Sequence, residues 1–586
     1  MILDKISYQR GFFRRLTMIN TVQYLTLSVT GMIDSAIAGH CCGESGLAAM
    51  KLAMPVYSVL SLCSTVISSG FSVRAARELE SGQKEAAAQT FLCSFGSGLL
   101  FSLVLTLAGI FSSGPLALLL SGGLRDAALL REVAAYLRPV LSGSVFIIFF
   151  GILGTVVLME GGGIRIWVSS LVILAADIAG DLAAVQLNAG ITGIAAASVF
   201  AYACATLVLA GHLKGGSSFF RLARPNLHPQ TLRGILLDGS PMGVRYLCLL
   251  LCPLVINRLM IRYGTIPGLA ALSIQDALHY LPKSFCEGIS AAILLLTGIY
   301  AAEQSREDLG EERRFFLYYG LTAGSALAAL LALAAPQLLR LFTPDEALRA
   351  LGLSAFRWYL LGVPFVALNL GLISYCQGMG RQRTALVLTV LHTLVLPCLV
   401  TRVLAGRFGM TGIYAAFAVH EIFLALICGL LWLCAGRQAR SRLTGGGDWD
   451  RTLFALERQM HTFADVTAAS KEVLRCCRKA GIHERQAVHI ALCLEELGTN
   501  SIEHNTKLRH PLRLSARFII GEKWLILRMR NNGRPYDLTE RYAMLNPKEP
   551  TSHIGLRLVY ASADEVRYSH FLDLNNVCIR VAVKRQ

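Results

Sequence analysis

The chain has 586 residues, 54% of them hydrophobic and only 16% charged, with a net charge of +17. Soluble domains carry roughly 25% charged residues, which argues against an ordinary water-soluble protein. The deficit is local: residues 1–446 hold 55 charged side chains, about 12%, whereas residues 447–586 hold 38, about 27%. A large membrane part followed by one soluble part is expected. Nucleic acid as a partner would need a basic face interleaved with aromatic residues, and the sequence has none. The 16 cysteines are scattered through apolar runs with no zinc-type spacing, and read as small buried hydrophobes in a reducing compartment. The first fifteen residues are polar and basic ahead of a long apolar run, which is not the pattern of a cleavable signal peptide.

A bilayer core about 30 Å thick needs roughly 20 apolar residues per helix. Spans are predicted on that length over 12–38, 51–73, 88–112, 134–159, 163–187 and 190–213. A second set is predicted over 232–263, 268–299, 315–338, 351–378, 383–405 and 410–435. Twelve spans return the chain to the side where it began. Alternate loops carry the basic residues: Lys5, Arg10, Arg14 and Arg15, then Arg74, Arg77 and Lys84, then Lys214, Arg221, Arg224 and Arg233, and finally Arg437, Arg440 and Arg442. The opposite loops hold fewer, mainly Arg125, Arg131, Arg340, Arg349 and Arg407. The positive-inside rule then assigns both termini to the cytoplasm of a multi-pass cell-membrane protein.

The two sets of six are copies. Gly46-Leu47-Ala48-Ala49 recurs 222 residues later as Gly268-Leu269-Ala270-Ala271. Gly190-Ile191-Thr192-Gly193 recurs 219 residues later as Gly409-Met410-Thr411-Gly412. A parallel six-plus-six repeat implies a pseudo-two-fold axis along the membrane normal with a pathway between the halves, as in secondary transporters. The expected organisation is a membrane domain over 1–436 with repeats at about 10–214 and 231–436, a linker over 437–450, and a soluble domain over 451–586.

A carboxylate at mid-bilayer costs about 2.5–3.5 kcal/mol on insertion scales, so each one requires a reason. Asp34 falls in the first span. Asp177 and Asp181, four apart on the fifth, share one helix face. Three acids in one half-bundle can pool negative charge and hold a proton, or coordinate Na⁺ together with neutral oxygens. Ser198 on the sixth span is the neutral partner. The structural alternative has Asp181 capping or snorkelling near a helix end and Asp34 bonding helix backbone. In the second half Arg245 and Arg258 lie on the seventh span, with Lys283 and Glu287 four apart on the eighth. These read as an internal Lys283–Glu287 salt bridge with interfacial arginines, or as a cationic lobe contacting an anionic group of the cargo. His392, His420 and Glu421 read as bundle-facing hydrogen-bonders or as part of a proton path.

The soluble part follows a flexible glycine-rich linker at 444–448. Its pattern predicts a strand over 452–457, helices over 467–480 and 485–504, and a hairpin of strands over 512–520 and 524–531. A helix over 555–563 and a hairpin over 565–571 and 577–584 complete an α+β sandwich of sheet and helices. Glu496 and Asn500, one turn apart on a helix, pair a carboxylate base with an amide able to hold Mg²⁺.

The run Met32-Ile33-Asp34-Ser35-Ala36-Ile37-Ala38-Gly39, the following Gly46-Leu47-Ala48-Ala49 and Ser81-Gly82-Gln83-Lys84 resemble exporters of the MATE (multidrug and toxic compound extrusion) family. So does Gly239-Ser240-Pro241-Met242-Gly243 at the opening of the seventh span, and the resemblance extends over residues 10–436. It implies an all-α domain of twelve helices that exports small organic molecules through the lipid membrane in exchange for H⁺ or Na⁺. It also implies a first-lobe cation site at Asp34, Asp177 and Asp181. Asp177 stands where the family usually has Asn, which favours protonation over a bare sodium site and leaves the coupling ion open. The tenth span has no acid, so the second-lobe carboxylate site of some subclasses is missing.

Residues 494–504, Leu-Glu-Glu-Leu-Gly-Thr-Asn-Ser-Ile-Glu-His, then 531–537 and 555–559, resemble the ATP-binding domain of anti-sigma-factor serine kinases in the GHKL superfamily. That resemblance implies Mg-ATP as cofactor, with Glu496 as general base and Asn500 as Mg²⁺ ligand. It puts Asn531 and Gly533 at the adenine, Gly555 and Leu556 at the phosphates, and implies an anti-sigma-antagonist-type protein partner. Asn531 replaces the family's Asp, and His553 replaces the first glycine of its lid. The function that follows is a cation-coupled efflux antiporter with a cytoplasmic nucleotide-binding regulatory domain. The alternatives are a membrane-tethered serine kinase acting as a sensor, and a lipid-linked saccharide flippase of the same superfamily.

Overall fold

The computed structural model describes residues 2–80, 83–122, 126–160, 162–214, 220, 228–302, 306–434, 452–505, 512–534, 536–544, 554–571 and 574–584. The chain divides into two compact units, Met1–Arg440 and Ser441–Gln586. The predicted linker, Ser81, Gly82, Arg125, Arg221, Arg224, Arg437, Arg440, Arg442, Pro535 and His553 lie outside the described residues.

The first unit is helical. It consists of α1 (Ile2–Cys41), α2 (Gly43–Glu80), α3 (Lys84–Leu120), α4 (Ala127–Ser142), α5 (Ser144–Met159), α6 (Gly163–Gln186) and α7 (Gly190–Lys214). Then follow α8 (Pro229–Ala302), α9 (Arg306–Arg340), α10 (Glu346–Gly378), α11 (Gln382–Val390), a π-helical turn (Leu391–Val395) and α12 (Leu396–Cys434). Among the described residues eight helices are long and apolar enough to cross a membrane, nine when α4 and α5, bent by 44°, count as one span. The chain leaves helical geometry at Thr265 inside α8 and at Gly409 inside α12. With those two helices divided there, and α1 included, a helix occupies every predicted position. Asn20, Gln23 and Asp34 dilute the apolar run of α1.

The repeat reappears in the backbone. Gly190 and Gly409, 219 residues apart, adopt φ of 58° and 59° where the sixth helix of each set begins. Gly43 and Thr265, 222 apart, adopt φ of 64° and 53° where the second begins. Glycine visits this left-handed region without penalty, whereas a β-branched residue there is strained.

Small residues join the halves. A Cβ added to Gly288 of α8 would overlap Thr21 of α1, and one added to Gly239 of α8 would overlap the Val66 carbonyl of α2. The second part of α8 therefore crosses α1 and its first part crosses α2. Two parallel copies related by an axis between them contact each other in this reciprocal way.

The second unit holds β1 (Thr452–Met460), α13 (Phe463–Lys479), α14 (Glu484–Glu503), β2 (Leu514–Gly521) and β3 (Trp524–Asn531). It ends with α15 (Leu538–Ala543), α16 (Ile554–Ser562), β4 (Glu565–Phe571) and β5 (Leu574–Ala582). The strands form one antiparallel sheet in the order β1-β2-β3-β5-β4. Alternate residues Leu514, Ala516, Phe518 and Ile520 face the core, as do Leu525, Leu527 and Met529 on β3. This period of two is what a half-covered strand requires. Val466 and Val473 of α13, Ile490, Leu494 and Leu497 of α14, and Leu556 and Val559 of α16 close that face.

Candidate functional site

In the membrane unit, α6 and α7 approach closely through small residues. A Cβ on Gly180 would come within 2.7 Å of Ala197, and one on Gly193 within 2.7 Å of Ala184. This contact brings the acids of α6 against Ser198 of α7 and Asp34 of α1. One carboxylate oxygen from each of Asp34, Asp177 and Asp181 lies within 4.8 Å of the others, and all three residues are buried. Ser198 Oγ donates to Asp34 Oδ2 at 3.1 Å. The remaining oxygens, Asp34 Oδ1 and both oxygens of Asp177 and Asp181, have no hydrogen-bond partner. Among the described residues no basic side chain ion-pairs with any of the three. Two carboxylates 4.8 Å apart repel by about 3.5 kcal/mol at an effective dielectric constant of about 20, a repulsion that protonation or a bound cation relieves. Asp181 is fully buried and neither of its oxygens accepts a hydrogen bond, which speaks against the capping or snorkelling alternative for it.

The second half departs from the spacing-based expectation. Glu287 pairs with Arg245, at 3.3 Å, and not with Lys283. Lys283 instead lies over the Tyr280 ring, 5.8 Å from its centroid. Four-residue spacing allows a Lys283–Glu287 pair, but the crossing of the two parts of α8 offers Glu287 the guanidinium. Tyr24 of α1 lies within electrostatic reach of both Arg245 and Glu287. Charge therefore collects where α1 meets α8.

In the soluble unit, Asn500 Nδ2 donates to Glu496 Oε1 at 2.8 Å. Gly555, at the start of α16, packs so tightly on Glu496 that a Cβ there would overlap the carboxyl group. These three residues meet. The Leu556 side chain is buried in the core, which leaves its backbone for the phosphate end. Asn531 is occupied by the protein itself: its Oδ1 accepts from the Gly533 N–H and from Asn575 Nδ2, each at 2.9 Å. Its Nδ2 donates to Ser501 Oγ at 3.2 Å. A Cβ on Gly533 would overlap the Asn505 side-chain amide, so Asn505 covers the face expected to meet a base.

Residues 21–179 and 241–401, more than half of the chain, match the MatE family model. The chain belongs to the MatE family. Residues 461–581 match the family model of the histidine kinase-like ATPase domain. Among curated proteins none matches. Similar solved structures include an inward-facing multidrug resistance MATE transporter of the MOP superfamily, with TM-score 0.64 and 21% identity over 72% of this chain and 94% of that one. A MOP-superfamily transporter from Pyrococcus furiosus, described as having a binding pocket of reverse polarity that suggests a different function, has TM-score 0.57 and 20% identity over 75% and 97%. The MATE multidrug transporter DinF-BH has TM-score 0.58 and 20% identity over 74% and 96%. Likeness at that identity establishes the fold. This protein is thus a multi-pass MatE transporter carrying a C-terminal kinase-like ATPase domain.

An ATPase fold implies a nucleotide with Mg²⁺, and the phosphate end of the domain fits that ligand. Asn500 offers an amide oxygen of the kind Mg²⁺ accepts, and Gly555 lets the Glu496 carboxyl approach the N-terminus of α16, where a Cβ would overlap it. The base end is altered, with an amide whose groups are already bonded. Sequence reasoning missed three features of the MatE transporter. Buried Lys51 of α2 forms an ion pair with half-buried Asp276 of α8, joining the two halves. Tyr57, Tyr136 and Tyr202 lie within electrostatic reach of Asp34. Asn575 holds Asn531, and Asn505 accepts from the Arg534 N–H in the turn that follows it. Only the Lys51–Asp276 pair carried a signal, as charges inside the second and eighth predicted spans.

Proposed function

We propose that this MatE transporter is a cation-coupled antiporter exporting small organic molecules, with H⁺ carried by Asp34, Asp177 and Asp181 and with its ATPase-like domain acting as a cytoplasmic regulator. The carrying observation is the buried acid triad: three carboxylates within 4.8 Å with no basic partner among the described residues call for a mobile positive charge. In the transport cycle the Ser198 hydroxyl donates to Asp34 and keeps that carboxylate oriented toward the acids of α6. Occupation by a cation lowers the negative charge of the cluster and allows α1 and α6 to close on each other. Release on the other side restores the repulsion. Na⁺ is the second reading, favoured by the all-oxygen donor set of the triad.

Arg245, Glu287 and Lys283, where α1 meets α8, form the proposed cargo-facing surface, and a surplus of basic charge there suits cargo bearing an acidic group. Loop charge supports a cytoplasmic side for the soluble domain. Mg-ATP, when bound there, supplies phosphate charge suited to the N-terminus of α16. Asn500 would hold the metal end, and Glu496 would be the base toward any attacking hydroxyl. The domain carries no Walker A sequence, so ATP acts as a signal while the ion gradient drives export. An anti-sigma-antagonist-type protein is the proposed partner if phosphate is passed on. The test is export from proteoliposomes under an imposed H⁺ or Na⁺ gradient, with and without ATP on the side of the soluble domain. Transport driven by neither gradient refutes the coupling, and transport indifferent to ATP refutes the regulation.

A further inference from the structure

The second lobe holds a buried titratable cluster that the Asp34 site does not use. Glu421 of α12 is 5% exposed. It is flanked by His420, by His392 in the π-helical turn Leu391–Val395, and by Asn369 of α10. Asn369 Nδ2 donates to Glu421 Oε2 at 2.6 Å and to the Glu421 backbone carbonyl at 2.9 Å. His392 Nε2 lies 2.9 Å, and His420 Nε2 3.3 Å, from the other carboxylate oxygen, Oε1. The further titratable groups in electrostatic range are Cys286 of α8 and Tyr359 of α10. Cys286 Sγ is turned to the Val363 carbonyl, at 3.8 Å. Among the described residues no Lys or Arg pairs with Glu421.

Counting hydrogens in this cluster exposes a surplus proton. His420 Nδ1 lies 2.7 Å from the Ala416 carbonyl oxygen, which can only accept, so Nδ1 carries a hydrogen. In a neutral ring Nε2 would then carry none, and would set its lone pair against an ionised carboxylate. The conflict disappears when one more proton sits on His420 Nε2 or on Glu421 Oε1. The cluster therefore holds one proton beyond that of neutral histidines beside an ionised glutamate. His392 donates to Oε1 through Nε2, leaving Nδ1 buried with no hydrogen-bond partner and ready to accept a proton in transit.

Two further observations mark the cluster as built for function. A π-turn inside a long helix costs regular hydrogen bonding and recurs at functional sites, and here it carries His392. At the 219-residue offset of the repeat, Glu421 takes the place of Tyr202. The two copies thus put their acids on different helices, and Glu421 has no counterpart among Asp34, Asp177 and Asp181.

We propose that His392, His420 and Glu421 form a second proton-binding site, in the second lobe and independent of the Asp34 site. The proton is shared between His420 Nε2 and Glu421 Oε1: the N–H bond breaks as the O–H bond forms, and no other group changes. His392 is its route in or out. Its part in export rests on the antiporter reading; its capacity to hold a proton does not.

The test uses full-length protein in detergent, with potentiometric proton uptake from alkaline to acid pH and ¹⁵N-histidine spectra read together. Wild type is expected to show one imidazolium signal that persists to alkaline pH, and Glu421→Gln to lose it together with one bound proton per molecule. Asp34→Asn is expected to lower proton uptake while leaving that signal intact, and the double variant to show both losses. If Glu421→Gln does not fold, His420→Asn in the presence of intact Glu421 must show the same loss of one proton. Unchanged uptake and an unchanged imidazolium signal in a folded variant overturn the proposal. Full loss in these experiments without any gradient-driven export would retain the site and remove the antiporter reading.

Discussion

Gly180 lies between the two acids of α6, and a Cβ placed there would come 2.7 Å from Ala197 Cβ and 3.1 Å from Ala197 Cα. Carbon atoms in ordinary contact are about 3.5–4.0 Å apart, so Gly180→Ala must push α7 outward by roughly 1 Å. Ala197 precedes Ser198, whose hydroxyl is 3.1 Å from Asp34 Oδ2. The same displacement carries that pair beyond hydrogen-bond range. A net hydrogen bond contributes about 1 kcal/mol, which is about fivefold in an equilibrium constant. Overpacking costs about 1–3 kcal/mol, partly offset by the better helix propensity of Ala, about 1 kcal/mol. Ser198→Ala removes the same bond without moving the helix. The assay is the initial rate of H⁺-driven export in proteoliposomes, normalised to folded protein. Each single variant should lose about fivefold, and the double variant hardly more, because both act on one bond. Gly211→Ala on α7, where a Cβ meets nothing within 4 Å, should transport as wild type. Multiplication of the two single effects in the double variant would refute the argument.

Thr265→Gly should stabilise the transporter, since relief of left-handed strain, about 1–3 kcal/mol, exceeds the added chain entropy of glycine; a raised Tm of the purified protein checks it. Gly555→Ala should abolish nucleotide binding, measured with a fluorescent ATP analogue, while leaving gradient-driven export in place, because the new methyl collides with Glu496. Thr462 and Asp465 form a reciprocal capping box at the start of α13, and Thr462→Ala should cost about 1 kcal/mol. The Asp465 carboxyl is held below its ordinary value first by the His461 backbone N–H and then by Thr462. Its contribution is therefore complete above the ordinary carboxylate range and is lost as pH falls through the lowered value. Amide exchange in the first turn of α13 should accelerate over that acid interval, and Asp465→Asn should remove the pH dependence.

Helix positions were legible because bilayer thickness sets a minimum apolar length, and part of the repeat was legible because Gly190 and Gly409 recur where the backbone turns left-handed. Thr265 escaped notice for the complementary reason: the copy retained the turn and lost its glycine. The acid triad was readable because an uncompensated charge in a span is costly, and a spacing of four fixes two acids on one face. Partners brought together by packing between distant helices were not readable. Glu287 is taken by Arg245, 42 positions away, and Lys51 by Asp276, 225 positions away. In the soluble domain Asn531 reads as a base contact until strand register sets it opposite Asn575, whose amide then fills its acceptor. Periodicity says where a strand lies, but only pairing says which polar groups remain for a ligand.

The most direct test of the account is H⁺-driven export of a cationic dye and of an acidic organic molecule from proteoliposomes by wild type and by Asp34→Asn. Export by wild type that collapses with the gradient, and its loss in a folded Asp34→Asn protein, is the predicted result. Export that persists in Asp34→Asn, or that proceeds without a gradient and depends on ATP alone, would contradict it.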